Sequence, residues 1–200
     1  MGLELSYDYG QTPISAEEME GLLIKTISTK AELDEFEQNN IESAVEWSMK
    51  HVFQGNKILT IDFILEVHRR MFDRTWDWAG KIRRTNKNIG VDKYSILSEL
   101  KVLMGDCWYW ISHASFPEDE IAVRFKHRLV SIHPFPNGNG RHSRLCADIL
   151  ISHVFKKDIF SWGGFDLTAP GELRKKYLAA IYAADQGDVQ PLVEFSRSKF

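Results

Sequence analysis

The sequence predicts an all-α domain with one small β-hairpin. Apolar residues recur at helical spacing along most of its 200 residues. Residues 82–95 differ, because apolar positions there lie among Asn and Gly residues, a pattern typical of a short hairpin. Residues 133–144 combine two prolines with two glycines between apolar helical segments, which predicts helix, tight loop and helix in succession.

Length and composition fit one globular domain, because 44% of the residues are hydrophobic. The net charge of -3 argues against general binding to nucleic acids or membrane surfaces. Cys107 and Cys146 lie in apolar helical stretches without zinc-ligand spacing, so buried free thiols are expected. The sequence shows no signal peptide and no apolar run of membrane-spanning length, which predicts a cytoplasmic location.

Residues 1–59 are predicted to form an N-terminal arm followed by helices. Ser15 and Glu18 have the spacing of a capping box, which would open a short helix. The next helix is predicted to begin at Ser28 or Thr29, because acidic residues follow in its first turns. We expect this part of the chain to precede the main domain.

Residues 60–200 are predicted to form the main helical domain. His68, near its start, is expected to be a core or interface residue rather than a ligand. The predicted helices begin near Thr60, Leu97, Ser115, Arg141, Thr168 and Gln190.

The predicted loop has the sequence His-Pro-Phe-Pro-Asn-Gly-Asn-Gly-Arg-His-Ser-Arg, from residue 133 to residue 144. Gly138 and Gly140 allow close backbone approach, and the free N–H groups at the start of the following helix favour an anion. Arg141 and Arg144 lie three positions apart, so both can reach phosphate oxygens. His133 can accept a proton near neutral pH. The pattern favours a polyphosphate site with a base at its edge over a plain turn.

Residues 133–144 resemble the signature of the Fic/Doc family (filamentation induced by cAMP), H-P-F-x-(D/E)-G-N-G-R-x-x-R. Every specified position fits except Asn137, where the family usually has an acidic residue. Residues 78–83 resemble the W-A-G-x-x-R segment of the same domains. The opening of the chain also resembles the mobile mystery protein B subfamily. The resemblance covers residues 60–200 well and implies a Fic-domain helical bundle with a β-hairpin flap over the active site.

The resemblance implies a protein adenylyltransferase, which moves AMP from ATP to a hydroxyl side chain of a target protein. His133 would be the general base that deprotonates this hydroxyl. Asn137 stands at the Mg²⁺ position, where an amide oxygen brings no negative charge to a hard cation. The nucleotide would be bound by Phe135, Gly138, Asn139, Gly140, Arg141 and Arg144.

The flap of Fic domains pairs with the target by strand addition. The sequence places this flap at residues 86–94, and the resemblance implies target binding by Asn88, Ile89, Gly90 and Val91. A toxin-like role with an antitoxin or another regulator is allowed by family analogy. The sequence indicates neither a nucleic acid nor a membrane as a partner, and it does not indicate an oligomeric state.

Many Fic proteins also carry a regulatory segment, (S/T)-x-x-x-E-(G/N), whose glutamate pairs with the second arginine of the motif. Residues 15–21 match it in part, with Ala16 at the Ser/Thr position and Glu20 at the glutamate position. The hypothesis is that Glu20 pairs with Arg144 and holds the enzyme inactive. Glu42 is a weaker candidate for the same role.

Two alternatives stay open at this point. The first is a phosphotransferase or other nucleotidyltransferase on the same scaffold, since some Fic relatives bind the substrate in the reverse orientation. The second is a nucleotide-binding regulatory or interaction module, in which Asn137 has weakened catalysis.

Overall fold

The computed structural model describes residues 13–164 and 171–199, which form a bundle of α-helices. This confirms the predicted all-α class. Two predictions fall outside the described residues, namely most of the N-terminal arm and the helix start near Thr168. The helices are α1 Ala16–Glu20, α2 Lys30–Lys50, α3 Gly55–Ile58, α4 Ile61–Phe72, α5 Ile96–Ser112, α6 Glu118–Ile132, α7 Asn139–His153, α8 Glu172–Asp185 and α9 Gln190–Arg197.

Local capping sets where the first helices begin. The Ser15 hydroxyl accepts a hydrogen bond from the Glu18 N–H, and the Glu18 carboxylate accepts one from the Ser15 N–H, as predicted. Thr29 and Glu32 make the same reciprocal pair at the start of α2. Each cap satisfies N–H groups that a helix start otherwise leaves without a partner.

The core forms around two neighbouring helices, α6 and α7, which pack against each other over much of their length. Helices α5 and α9 pack on α6, while α4 packs on α7 and carries α2 on its other side. Cys107 and Cys146 are buried free cysteines, as expected, and burial raises the pKa of the Cys107 thiol to about 12. This packing holds the residues between α6 and α7 at the edge of the core.

Residues 82–95, which we call the flap segment, do not form the predicted hairpin. Isolated bridges, Leu22 with Trp76 and Gly163 with Lys199, are the only β pairing in the described part of the chain. The N–H groups of Arg83 and Val91 donate to Pro134 O and Ile132 O instead of to each other's arm. The flap segment therefore forms backbone hydrogen bonds with the residues between α6 and α7, and its two arms do not form an antiparallel β-ladder with each other.

A side chain connects the two arms of the flap segment in place of the missing ladder. The Asn86 amide donates to the Asp92 carboxylate at 2.9 Å and accepts from the Lys93 N–H at 2.8 Å. Asn and Asp often replace backbone pairing in this way. Asn88, Ile89 and Gly90 remain exposed at the tip of the segment.

None of the helices within residues 13–164 and 171–199 combines the length and apolar character that crossing a bilayer requires.

Candidate active site

His133 follows the last turn of α6 with left-handed backbone angles, φ 56° and ψ 60°. Its carbonyl accepts a hydrogen bond from Arg83 Nε at 2.7 Å, which stabilises a conformation that histidine seldom adopts. The side chain is 4% exposed. Burial, together with the positive charges of Arg83 and Lys87, lowers the pKa of His133 to about 4. The imidazole is therefore neutral near pH 7, but its low pKa makes it a weaker base than the sequence predicted.

Asn139 fixes the turn between α6 and α7 from inside. Its side-chain oxygen accepts from the Phe135 N–H at 3.0 Å, and its amide donates to the Phe135 carbonyl at 2.9 Å. Asn139 is buried, so this pair of bonds has little competition from water. The sequence placed Asn139 in the nucleotide site, and the structure shows that its side chain holds the loop in shape.

Gly138 begins the turn into α7 at a position where only glycine fits. Its φ is +77°, and an added Cβ would lie 2.5 Å from Phe72 Cζ. Gly140, two residues further, has no described atom within 4 Å of such a Cβ. The start of α7 thus has a rigid turn on one side and open space on the other, as an anion site at a helix N-terminus requires.

Phe135 lies in the core rather than at the open face of the loop. Its side chain is fully buried, and its ring stacks on His68 with 3.6 Å between ring centroids. The predicted nucleotide contact of Phe135 gains no support from this position. The side chain anchors the loop to α4.

His68 connects three parts of the site, although the sequence predicted only a core or interface role. Its Nδ1 accepts the Gly80 N–H at 2.9 Å, so Nε2 must carry the proton that it donates to the Asn137 carbonyl at 3.1 Å. Burial lowers the pKa of His68 well below its usual value, and the nearby His142 adds to this effect. A neutral His68 therefore joins the W-A-G segment to the loop.

Asn137 does not fit a Mg²⁺ site of the usual kind. Its side-chain oxygen accepts the N–H of the next residue, Gly138, at 2.6 Å. The described residues also contain no group of three or more His, Cys, Asp or Glu side chains that could hold a metal ion. Mg²⁺ prefers carboxylate oxygens and phosphates, so we derive no step of a reaction through a metal here.

The two arginines of the loop contact different neighbouring helices. Arg141 donates to the Glu37 carboxylate of α2 at 2.6 Å, and its guanidinium lies over the Phe72 ring. Arg144 lies over the ring of Tyr177 in α8, at 5.6 Å from its centroid. Both can still bind phosphate, but Arg141 must first give up a carboxylate.

Glu37 is the acidic residue that reaches the loop. It is buried, and its second oxygen accepts the Trp76 Nε1–H at 2.6 Å. Glu20 is exposed at the end of α1, and among the described residues it forms no ion pair with Arg144. The structure therefore gives the Glu20 hypothesis no support. The sequence analysis missed Glu37. Its helical spacing from Leu33 and Asn40, which lie on the same face of α2, is the signal that could have found it.

A cavity of about 190 Å³ lies beside Arg141 and Arg144, between α2 and α7, with Asp148 and Trp162 in its wall. Ligand pockets for molecules of nucleotide size are usually about 300 Å³ or larger. Burial raises the pKa of the Asp148 carboxyl to about 7, although it accepts hydrogen bonds from Trp162 and Phe160.

Fold and site together define a class: a helical domain in which a glycine turn opens one helix and a buried neutral histidine ends the helix before it. Residues 58–151 match the model of the Fic/DOC family, so the chain contains a Fic/DOC domain. The predicted Fic domain is thereby confirmed, while the comparisons do not identify the mobile mystery protein B subfamily.

Relatives of known name are similar over most of this chain. Protein adenylyltransferase Fic of Aedes aegypti is 27% identical over 159 residues, which are 78% of this chain and 30% of that protein. Protein adenylyltransferase fic-1 of Caenorhabditis elegans is 30% identical over 147 residues, 68% of this chain and 26% of that protein. The chain thus spans between a quarter and a third of the length of these relatives.

Solved structures share the fold. Fic-1 of C. elegans, residues 134–508, has a TM-score of 0.64 and 25% identity, covering 89% of this chain and 50% of that one. The BepC protein of Bartonella tribocorum, with bound AMPPNP, has a TM-score of 0.69 and 19% identity. That match covers 92% of this chain and 97% of BepC.

Proposed function

We propose that this chain is a protein adenylyltransferase, which transfers AMP from ATP to a hydroxyl side chain of a target protein. The observation that carries the proposal is the juxtaposition of a buried, neutral His133 at the end of α6 with the glycine turn that begins α7. The adenylyltransferase names of the relatives and the AMPPNP bound to BepC support ATP as the nucleotide.

The reaction assigns one task to each part of the site. The target hydroxyl gives its proton to the His133 imidazole, and its oxygen forms a bond to the α-phosphorus of ATP. The bond between this phosphorus and the bridging oxygen to the β-phosphate breaks, and pyrophosphate leaves. The N–H groups at the start of α7, with Arg141 and Arg144, stabilise the charge on the leaving group.

Replacing the base tests this mechanism. We expect His133→Ala to abolish AMP transfer and to leave the dissociation constant of ATP nearly unchanged, because the imidazole acts on the hydroxyl and not on the phosphates. Transfer is measured with ATP labelled at the α-phosphate. His113→Ala, at an exposed histidine after α5, is the matched control. A His133→Ala protein that still transfers label at the wild-type rate would contradict the mechanism.

Asn137 favours a second candidate function. Its side-chain oxygen is bonded to the Gly138 N–H and brings no negative charge, so the second candidate is a nucleotide-binding regulatory or interaction module that transfers AMP poorly. Mass spectrometry of the modified target distinguishes a phosphotransferase on the same scaffold from both candidates, because the target would gain the mass of a phosphate instead of that of AMP.

The remaining features of the proposal concern location, target and regulation. The proposal places the protein in the cytoplasm and lets a target segment add to the exposed residues Asn88, Ile89 and Gly90 and to Val91 by strand addition. It keeps the mobile mystery protein B subfamily and an antitoxin-like regulator as hypotheses. It also includes autoinhibition, with Glu37 instead of Glu20 occupying an arginine that would otherwise bind phosphate.

A further inference from the structure

Arg83 is a buried arginine that links the flap segment to the start of the loop. Its side chain is 3% exposed, and its guanidinium donates to three backbone carbonyls. Nε donates to His133 O at 2.7 Å, one terminal nitrogen to Thr85 O at 2.7 Å, and the other to Val91 O. One planar group therefore holds both arms of the flap segment and the carbonyl of the candidate base.

The backbone of Arg83 strengthens this connection. Its N–H donates to the Pro134 carbonyl at 2.9 Å, directly after His133. On the opposite arm, the Val91 N–H donates to the Ile132 carbonyl at 3.4 Å. The peptide groups on both sides of His133 are thus bonded to the flap segment: Arg83 bonds the side after His133, and Val91, whose carbonyl accepts from Arg83, bonds the side before it.

The flap segment lies so close to His133 that position 90 has no room for a side chain. Gly90 has a φ of +97°, and an added Cβ would lie 2.6 Å from His133 Cβ and 3.1 Å from an Arg83 terminal nitrogen. The contact between Gly90 and His133 would therefore set the distance from the imidazole to the side chains of a target segment that pairs with the flap segment. Small errors in such a distance are costly, because proton transfer requires hydrogen-bond reach.

We propose that Arg83 is a positioning residue, which fixes the distance between the flap segment and His133 and thereby sets where a target hydroxyl meets the base. The inference rests on the proposed function. The fork geometry of the guanidinium is essential to it, since only a planar group with donors on several sides reaches three carbonyls at once. The ammonium of a lysine keeps the charge but lacks this geometry.

Two substitutions separate geometry from charge. Arg83→Lys retains the positive charge, and Arg83→Gln retains a planar donor without charge. Arg84→Gln is the matched control, because Arg84 is the next residue and is exposed. Thermal unfolding identifies any variant that does not fold, and a folded Arg83→Lys protein is sufficient for the test.

The measurements compare target transfer with nucleotide binding. With α-labelled ATP at saturation, we expect transfer to fall by about tenfold to a hundredfold in both Arg83 variants. The dissociation constant of ATP should stay within about twofold, since Arg83 contacts no group at the start of α7. Hydrogen exchange at the Val91 N–H should accelerate by about tenfold or more, because the flap segment loosens. Arg84→Gln should match the wild type in all three.

Three outcomes would overturn the inference. Wild-type transfer in both variants would show that Arg83 does not position the target. ATP affinity that falls in step with transfer would show a general structural role instead. If the wild-type protein transfers no label at all, the proposed function fails, and Val91 exchange then decides by itself: unchanged exchange in a folded Arg83→Lys protein overturns the link between Arg83 and the flap segment.

Discussion

Glu37 and Arg141 form an ion pair of 2.6 Å that joins α2 to the first turn of α7. The carboxylate is 5% exposed and is also bonded to Trp76 Nε1, so it occupies one fixed position. A phosphate bound at the start of α7 would need the same guanidinium. A bound nucleotide must therefore break this ion pair, which weakens its binding. Removing the charge of Glu37 should strengthen nucleotide binding.

We expect Glu37→Gln to raise both ATP affinity and AMP transfer, by about tenfold or more. Glutamine has nearly the same shape and can still accept the Trp76 hydrogen bond, while it loses the charge that attracts Arg141. Arg141 is 23% exposed, so its freed guanidinium can be solvated rather than left as a buried charge. Titration calorimetry with ATP and label transfer from α-labelled ATP measure the two effects.

Two controls separate Glu37 from other acidic residues. Glu35→Gln changes an exposed residue of the same helix and should leave both quantities unchanged. Glu20→Gly tests the regulatory segment that the sequence suggested. Activation by Glu20→Gly, with no effect of Glu37→Gln, would mean that the ion pair described above does not regulate the site.

The contrast between Glu20 and Glu37 shows what the sequence could predict. The capping box of Ser15 and Glu18 was predictable because both partners lie within one helical turn. The helix–loop–helix around residues 133–144 was predictable for the same reason, since proline and glycine act locally. Glu37 meets Arg141 across more than a hundred positions, and only the packing of α2 on α4 and of α4 on α7 brings them together.

The flap segment was mispredicted for a related reason. Its apolar residues and turn residues have the composition of a hairpin, which the local pattern reports correctly. Its backbone groups nevertheless bond to Ile132 and Pro134, and the guanidinium of Arg83 takes the carbonyls of Thr85 and Val91. These long-range partners override the local preference, as is common for β structure.

Asn137→Asp tests whether this position limits the use of Mg²⁺. A carboxylate provides the hard, charged oxygen that Mg²⁺ prefers, and an amide does not. We therefore expect the aspartate variant to reach half-maximal transfer at a Mg²⁺ concentration lower by about tenfold. Transfer measured over a series of Mg²⁺ concentrations gives this value for both proteins.

The Asn137 result also separates the two candidate functions. If the wild type transfers AMP and Asn137→Asp transfers it faster, the chain is a working but weakened adenylyltransferase. Transfer gained only by the aspartate variant favours the binding module. Asn39→Asp, at an exposed position of α2, controls for the added charge. Equal Mg²⁺ dependence in all three proteins would show that residue 137 does not contact the metal.

The pKa of His133 makes the stability of the fold depend on pH. Burial lowers this pKa from 6.5 to about 4 in the folded protein, with Arg83 and Lys87 adding to the shift. In the unfolded chain the imidazole is free to bind a proton near pH 6.5. Between these values the unfolded state binds more protons, so stability is complete above pH 6.5 and is lost as the pH falls toward 4.

Replacing His133 by Asn removes this contribution and suits the backbone, because Asn tolerates a positive φ. We expect the free energy of unfolding of the wild type to fall between pH 7 and pH 4 by up to about 3 kcal/mol more than that of His133→Asn. Urea unfolding at several pH values measures both. His142, whose pKa burial also lowers to about 4, contributes equally to the two proteins and cancels in the difference.

The control for this comparison is His113→Asn, whose side chain is exposed after α5 and which should follow the wild type at every pH. Carboxylates that titrate in the same range, such as Asp148 with its pKa near 7, are present in all three proteins and also cancel. The difference between wild type and His133→Asn therefore isolates one imidazole. A difference that stays constant from pH 7 to pH 4 would mean that burial does not lower the pKa of His133 in the folded protein.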